Sequence, residues 1–206
     1  MANRPAMQST LKSKPTSLKI PRSLIYEEMD GEPIYYQGYK EVLSKEKTLE
    51  DIMGSSSLQS VIITVLLKYL YKHLDDQQYE VFTNETGLHL AKGNNLASDI
   101  AIYNASSLKD FVYDEHYFEI PPAVGIEVDI KADLSVMKWE TYVKRKTEKL
   151  HRFGVQRLIW ILSATQQIIT TEPNQDWLTR DWHKPLEILP DHTINLGEML
   201  KASGVR

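Results

Sequence analysis

The sequence contains no cysteine among its 206 residues. This absence excludes a disulfide scaffold, a thiolate nucleophile and a Cys-ligated zinc site. No apolar run approaches the roughly 20 residues that a helix needs to span a bilayer. The first residues also lack the apolar segment and the small-residue cleavage site of a secretory signal. We therefore expect a soluble, cytoplasmic protein that does not enter a membrane.

Several catalytic motifs are also missing from the sequence. There is no phosphate-cradling P-loop, no glycine-rich dinucleotide fingerprint and no G-x-S-x-G nucleophile elbow. The six histidines include no pair at the i, i+4 spacing of a helical metal site. These absences argue against a serine hydrolase and against a helical zinc site.

The composition is that of an ordinary globular domain, with 42% hydrophobic and 25% charged residues. The 24 Lys and Arg stand against 28 Asp and Glu, which gives a net charge of −4. Residues 1–22 carry five of the cations and no acid, so residues 23–206 carry −9. We expect residues 1–22 to form a flexible basic tail, with phosphate contact as the alternative. Residues 23–206 are predicted to form one domain.

The hydrophobic pattern changes between helical and strand-like periods along the chain. A helix is predicted after the serines at 55–57, where apolar residues lie on nearly every face. A second helix is predicted from Leu134 to Phe153, with Gly154 as its C-terminal stop. Strands are predicted as two short segments around 84–87 and at 98–103, 123–131, 157–162 and 167–172. This order predicts an α/β fold with a mixed β-sheet flanked by helices.

Two of the predicted strands carry carboxylates. In one, the alternation of side chains places Glu127, Asp129 and Lys131 on the same face, opposite three aliphatic residues. In the other, Asp99 lies at the start of the strand. The simpler interpretation is that these charges line the solvated face of an edge strand.

The second predicted helix has an apolar stripe with one charged member. The apolar members are Val136, Trp139, Val143, Leu150 and Phe153. Lys146 occupies the position that completes the stripe, so its side chain is predicted to face the sheet. A lysine there either extends its stem to water or pairs with a carboxylate of the sheet. Pairing would assemble the groups that metal-assisted phosphodiester hydrolysis requires.

A series of short motifs follows in a recognisable order. They are Tyr26-Glu27 with Asp30-Gly31-Glu32, the strands SDIAIY and IEVDIK, Lys146, Gly154-Val155 and the strand LIWIL. In this order they resemble a bacterial family of candidate restriction endonucleases, classed as a domain of unknown function within the PD-(D/E)xK nuclease superfamily. The resemblance covers about residues 26–172.

The resemblance implies a restriction-endonuclease-like fold in which Asp99 and Glu127 bind Mg²⁺ or Mn²⁺. It implies that Lys146 is the catalytic lysine and that Glu27, which matches the family's opening acid, joins the site. Asp129, a further candidate site residue, stands where the superfamily usually has its lysine, and a third carboxylate there would either strengthen metal binding or disturb the charge balance of the site. Lys131 is the alternative for the catalytic lysine.

The sequence departs from the family at two further positions. Ser98 replaces a proline, and Gln59 occupies the place of a histidine at the start of the first helix. With these departures, the sequence predicts a Mg²⁺-dependent endonuclease that hydrolyses DNA phosphodiester bonds, as a homodimer if it cuts both strands. One alternative is an inactive module of the same fold that binds nucleic acid or a protein partner. A second alternative is a hydrolase of smaller phosphate esters.

Overall fold

The computed structural model describes residues 20–205. Most of the basic segment 1–22, predicted to be a flexible tail, lies outside the described residues. Between residues 20 and 205, no helix is both long enough and apolar enough to cross a membrane.

Helices and strands alternate along the described residues. The α-helices are α1 (Tyr39–Leu43), α2 (Glu50–Met53), α3 (Ser57–His73), α4 (Trp139–Phe153) and α5 (Leu196–Ala202). The first strands are β1 (Ile25–Met29), β2 (Glu32–Tyr35), β3 (Tyr79–Ala91), β4 (Asn94–Asn104) and β5 (Val124–Val128). The remaining strands are β6 (Arg157–Leu162), β7 (Gln167–Thr171), β8 (Leu178–Asp181), β9 (Leu186–Leu189) and β10 (His192–Ile194).

One mixed sheet contains eight of the strands found in residues 20–205. Its spatial order is β2-β1-β4-β5-β6-β7-β8, and β3 pairs with β4 outside this path. β5 and β6 are parallel and are connected by α4, whereas the other pairs are antiparallel. All five residues of β5 are buried, as expected of a strand covered on both faces. The interpretation of this strand as a solvated edge is therefore wrong.

Apolar side chains form a core on each face of the sheet. One core joins α3 and α5 to the sheet, with Ile62 and Ile126 among its buried members. The other joins α4 and the β1–β2 hairpin to the sheet, with Val143 and Trp160 among its buried members. The predicted arrangement of a mixed sheet flanked by helices is confirmed.

The helix α3 begins where the serines predicted it would. The Ser56 hydroxyl accepts a hydrogen bond from the Gln59 amide at 3.1 Å and so caps the first turn. The helix packs against β5 and α5. Tyr71 on the remaining side of α3 is 63% exposed. The helix is therefore not buried on every side, although apolar residues lie on nearly every face.

The strand β3 differs from the prediction of two short strands around 84–87. It is one strand of 13 residues with a bulge opposite β4 between Thr83 and Thr86. The bulge contains Asn84 and Glu85, whose φ angles are 70° and 56°. A bulge absorbs these turn-like residues without ending the strand, which explains the wrong prediction.

The start of α4 also differs from the prediction, since the helix begins at Trp139 and not at Leu134. Asp133 accepts hydrogen bonds from the Ser135 amide at 2.9 Å and from its hydroxyl at 2.5 Å. Such local side-chain bonds compete with helix formation. Val136 consequently precedes the helix and is 93% exposed, so it does not belong to the buried stripe.

Candidate active site

Lys146 lies at the centre of a polar cluster between α4 and the sheet, and its side chain is completely buried. Its Nζ lies 2.7 Å from Glu27 Oε1, 2.8 Å from Glu127 Oε2 and 2.7 Å from the Ala97 carbonyl oxygen. These three acceptors match the three N–H groups of an ammonium ion. Burial alone would lower the pKa of Lys146, but the charges of Glu127 and Glu27 outweigh it and raise the pKa. Lys146 therefore pairs with the sheet and does not extend to water.

Glu127 reaches this cluster from the central strand β5 and is 2% exposed. Its Oε1 accepts a hydrogen bond from the Ser98 hydroxyl at 2.8 Å, and its Oε2 accepts one from Lys146. Burial raises the pKa of Glu127 to about 8 against the opposing charge of Lys146, and the charges of Asp99 and Glu27 also raise it. This carboxylate therefore lies in an environment that would favour additional positive charge.

Glu27 reaches the cluster from β1 and is 3% exposed. The Tyr142 hydroxyl donates to its Oε2 at 2.7 Å, and the Ala97 amide donates to its Oε1 at 3.2 Å. Burial and the charge of Glu27 raise the pKa of Tyr142, so the phenol remains a donor. Glu27 thus lies beside Lys146 with both of its oxygens bound by protein donors.

Asp99 lies on β4 next to the end of β5 and is 8% exposed. Its Oδ2 accepts a hydrogen bond from the Val128 amide at 2.7 Å, while the Val128 carbonyl accepts one from Gln59 Nε2 at 2.8 Å. Burial raises the pKa of Asp99, although the Val128 amide and the charge of Lys146 act in the opposite direction. Asp99 also lines a cavity of about 510 Å³ that opens on the α3 side.

Asp129 does not share a strand face with Glu127. β5 ends at Val128, and Asp129 has a φ of 60°, so the predicted alternation stops before it. Its carboxylate instead accepts hydrogen bonds from the Ser163 amide at 2.8 Å and the Ser163 hydroxyl at 2.7 Å. Asp129 therefore anchors the segment after β5 to the segment after β6.

Lys131 lies beyond β5 and is separate from the Lys146 cluster. Its Nζ lies 2.7 Å from Glu85 Oε1, and its side chain is 14% exposed. It lines the same cavity as Asp99 and Glu85. The structure thus brings together Asp99, Glu127, Lys146 and Glu27 around the end of β5, with Lys131 on the cavity side.

Three contributing residues were not predicted from the sequence. Ser98 bonds to Glu127, Tyr142 bonds to Glu27, and Glu85 pairs with Lys131. The turn-like run 84–87 was a signal for Glu85, because turn residues inside a strand often mark a bulge near a functional site. Tyr142 gave no sequence signal, and Ser98 was noted only as a replacement of a proline, since their contacts depend on the packing of α4 and on the β4–β5 register.

Asp99 and Glu127, the carboxylates expected to bind a metal, lie on the paired strands β4 and β5. Burial raises the pKa of both groups, so a bound cation would offset a charge that is costly there. Mg²⁺ is commonly held by one or two carboxylates, with water and substrate phosphates as the other ligands. No group of three or more His, Asp or Glu side chains that could hold a metal occurs within residues 20–205. The donor set fits such an open Mg²⁺ site and does not fit a closed structural metal site.

Comparisons with known proteins bear on the fold. No protein-family model matches the chain, and no curated protein sequence matches it significantly. The chain is similar to the crystal structure of a candidate nuclease belonging to DUF820 from Anabaena variabilis, with 16% identity and a TM-score of 0.59. The match covers 85% of this chain and 89% of the other. The chain therefore has a nuclease-like α/β fold.

Proposed function

We propose that the protein is a Mg²⁺-dependent nuclease that hydrolyses phosphodiester bonds of DNA. The observation that carries this proposal is the pairing of the buried Lys146 with Glu127, within a fold similar to that of a candidate nuclease. Asp99 lies on the neighbouring strand, and its charge acts on Glu127. Two carboxylates on adjacent strands with a lysine beside them are the groups that metal-assisted phosphodiester hydrolysis uses.

Each residue of the cluster has a distinct part in this proposal. Asp99 and Glu127 would hold the metal, which when bound activates water and offsets charge that develops on the phosphate. Lys146 and the Ser98 hydroxyl fix the Glu127 carboxylate from both of its oxygens. Glu27 balances the charge of Lys146 from the side of β1. Metal ligands that are held by such neighbours bind more tightly than free ones.

The closed contacts of Lys146 support a second candidate function. All three N–H groups of its ammonium have protein acceptors. A lysine so engaged stabilises the fold even where no reaction takes place. On this alternative, the protein is a catalytically inactive module of the nuclease-like fold that binds nucleic acid or a protein partner.

Cleavage of plasmid DNA and single-stranded DNA with Mg²⁺ or Mn²⁺ separates the two candidates. Under the proposed function, Asp99→Asn and Glu127→Gln lower the cleavage rate by about 100-fold or more. Glu198→Gln, an exposed acid on α5, serves as the matched control and retains activity. Equal cleavage by all four proteins would point to a contaminant or a different site and contradict the proposal. DNA binding without cleavage by the wild type would support the inactive module.

A further inference from the structure

The ammonium of Lys146 has no donor left for a substrate. Its three N–H groups match the oxygens of Glu27, Glu127 and Ala97, all within 2.8 Å. The side chain is fully buried between α4 and the sheet. A phosphate could reach this ammonium only by displacing a buried carboxylate, which would leave that charge without a partner.

Lys131 differs from Lys146 both in the number of its acceptors and in the exposure of its side chain. Its Nζ donates to Glu85 Oε1 at 2.7 Å, and no second acceptor for it occurs among the described residues. An ammonium has three donors, so two of them are available to a ligand. The side chain is also partly exposed, at 14%.

The position of Lys131 places it in the lining of the same cavity as Asp99. Both residues line the cavity of about 510 Å³, together with Glu85 and Thr83. Among the described residues, Lys131 is the one cation in the lining of this cavity. A neighbouring cavity of about 340 Å³, lined by Gln59 and others, also includes Lys131. A phosphate that approaches Asp99 through this cavity therefore meets Lys131.

The backbone around Lys131 and its partner is held by hydrogen bonds and by the bulge of β3. The Gln37 amide donates to the Lys131 carbonyl at 2.7 Å, and Asp129 is fixed by its two bonds to Ser163. Glu85 lies in the bulge of β3 with a φ of 56°. A left-handed conformation is unfavourable for glutamate and is found mainly where the surrounding structure enforces it, often at functional sites.

We propose that Lys131 binds the scissile phosphodiester beside Asp99, and that Glu85 is the counter-ion which Lys131 exchanges for that phosphate. This inference rests on the proposed nuclease function. The lysine supplies positive charge in a cavity whose other charged lining residues are acids, and a fixed cation there stabilises the charge that develops on the phosphate. Lys146 then acts as a positioning residue for Glu127.

Steady-state cleavage of a DNA duplex with Mg²⁺ tests this inference with four variants. Lys131→Met is expected to lower kcat by about 100-fold, and Lys131→Arg to restore part of that loss because it keeps the cation. Glu85→Gln is expected to lower KM for DNA, because the competing anion is removed. Lys201→Met, an exposed lysine on α5, is the matched control and keeps the wild-type kcat and KM. Circular dichroism and Tm establish that each variant is folded.

A folded Lys131→Met variant with the wild-type kcat and KM would overturn the inference while leaving the proposed function intact. Cleavage that is unaffected by Asp99→Asn, or no cleavage by the wild type, would instead refute the proposed function and the inference with it. If Lys131→Met does not fold, Glu85→Gln serves as the test instead. An unchanged KM for DNA in this variant would then overturn the proposal. A purely structural role of Lys131 predicts neither rescue by arginine nor a change in KM on substitution of Glu85.

Discussion

At the scale of single residues, the cluster around Lys146 balances charges that would each be costly alone. Removing a carboxylate or an ammonium from water costs several kcal/mol unless partners and hydrogen bonds replace the solvent. Lys146 has two carboxylate partners, and both carboxylates have a further donor in Ser98 or Tyr142. The stability of the cluster therefore depends on the presence of all its members.

Replacement of Lys146 by methionine tests this dependence. We expect Lys146→Met to lower the free energy of unfolding by about 3–5 kcal/mol, because it leaves the buried Glu27 without its cation and Glu127 Oε2 without its donor. Urea denaturation at pH 7 measures the change. Lys144→Met, on the exposed side of the same helix, should stay within about 0.5 kcal/mol of the wild type. Equal stability of the two variants would contradict the buried pairing.

The raised pKa of Glu127 predicts a pH dependence of stability. Burial raises this pKa from 4.5 to about 8 in the folded protein, so the folded state binds more protons than the unfolded state between these pH values. The contribution of Glu127 to the free energy of unfolding is therefore fully present below its pKa in the unfolded state. It is lost as the pH rises through its pKa in the folded state. Urea denaturation at pH 6 and pH 9, without divalent cations, should show a larger loss for the wild type than for Glu127→Gln. Equal pH dependences of the free energy of unfolding in the two proteins would contradict this prediction.

At the scale of elements, the segment after β5 joins three parts of the fold. Asp129 is bound to Ser163 at the end of β6, and the Lys131 carbonyl is bound to Gln37 before α1. The Val128 carbonyl at the end of β5 is bound to Gln59 in the first turn of α3. These contacts fix the point at which the central strand ends, and Asp99 bonds to the strand at the same point.

Substitution of Asp129 distinguishes this anchoring role from a role in catalysis. Asp129→Ala is expected to lower the free energy of unfolding by about 2 kcal/mol, because it removes both bonds to Ser163 and puts alanine in a left-handed conformation. Asp129→Asn tolerates that conformation and keeps an acceptor, so it should retain most of the stability and the Mg²⁺-dependent cleavage. Thermal denaturation and the cleavage assay measure the two properties. A stable Asp129→Asn variant without cleavage would indicate a direct role of this carboxylate.

The sequence predicted elements with strong hydrophobic periods better than elements governed by local polar contacts. β6 and the orientation of Lys146 toward the sheet follow from apolar patterns, whereas these patterns left open whether Lys146 extends to water or pairs with a carboxylate. The bulge in β3 and the late start of α4 depend on backbone conformation and on side-chain bonds of Asp133, which a pattern of apolar residues does not report. The predicted position of Asp129 on the face of Glu127 was wrong for the same reason, since side chains alternate between the faces of a sheet only while the strand continues.

At the scale of the whole molecule, part of the negative charge of an acidic body lies buried at the candidate site. Residues 23–206 carry −9 in formal charge, and Asp99 and Glu127 have raised pKa values because of their burial. A body of this sign repels phosphates at long range. Under the proposed function, binding of DNA would therefore depend on local positive charge, such as a divalent cation and Lys131.

Binding of Mg²⁺ to the folded state should appear as added stability. At a free concentration ten times the Kd, the expected gain is about 1.4 kcal/mol, measured as a shift of the urea midpoint relative to NaCl at equal ionic strength. The double variant Asp99→Asn with Glu127→Gln should show no such gain. A gain of equal size in the double variant would place the bound metal elsewhere.

The shared contacts of Lys146 also have a consequence for how the protein unfolds. β1, β5 and α4 each contribute one charged group to the cluster, so separation of any one of them breaks at least one buried ion pair. These three elements should therefore open together as one cooperative unit, although β1 and α4 are far apart in the sequence. The β9–β10 hairpin forms a sheet of its own and shares none of these charges. Native-state hydrogen exchange would reveal β1 and α4 amides with a common opening free energy, above that of the hairpin.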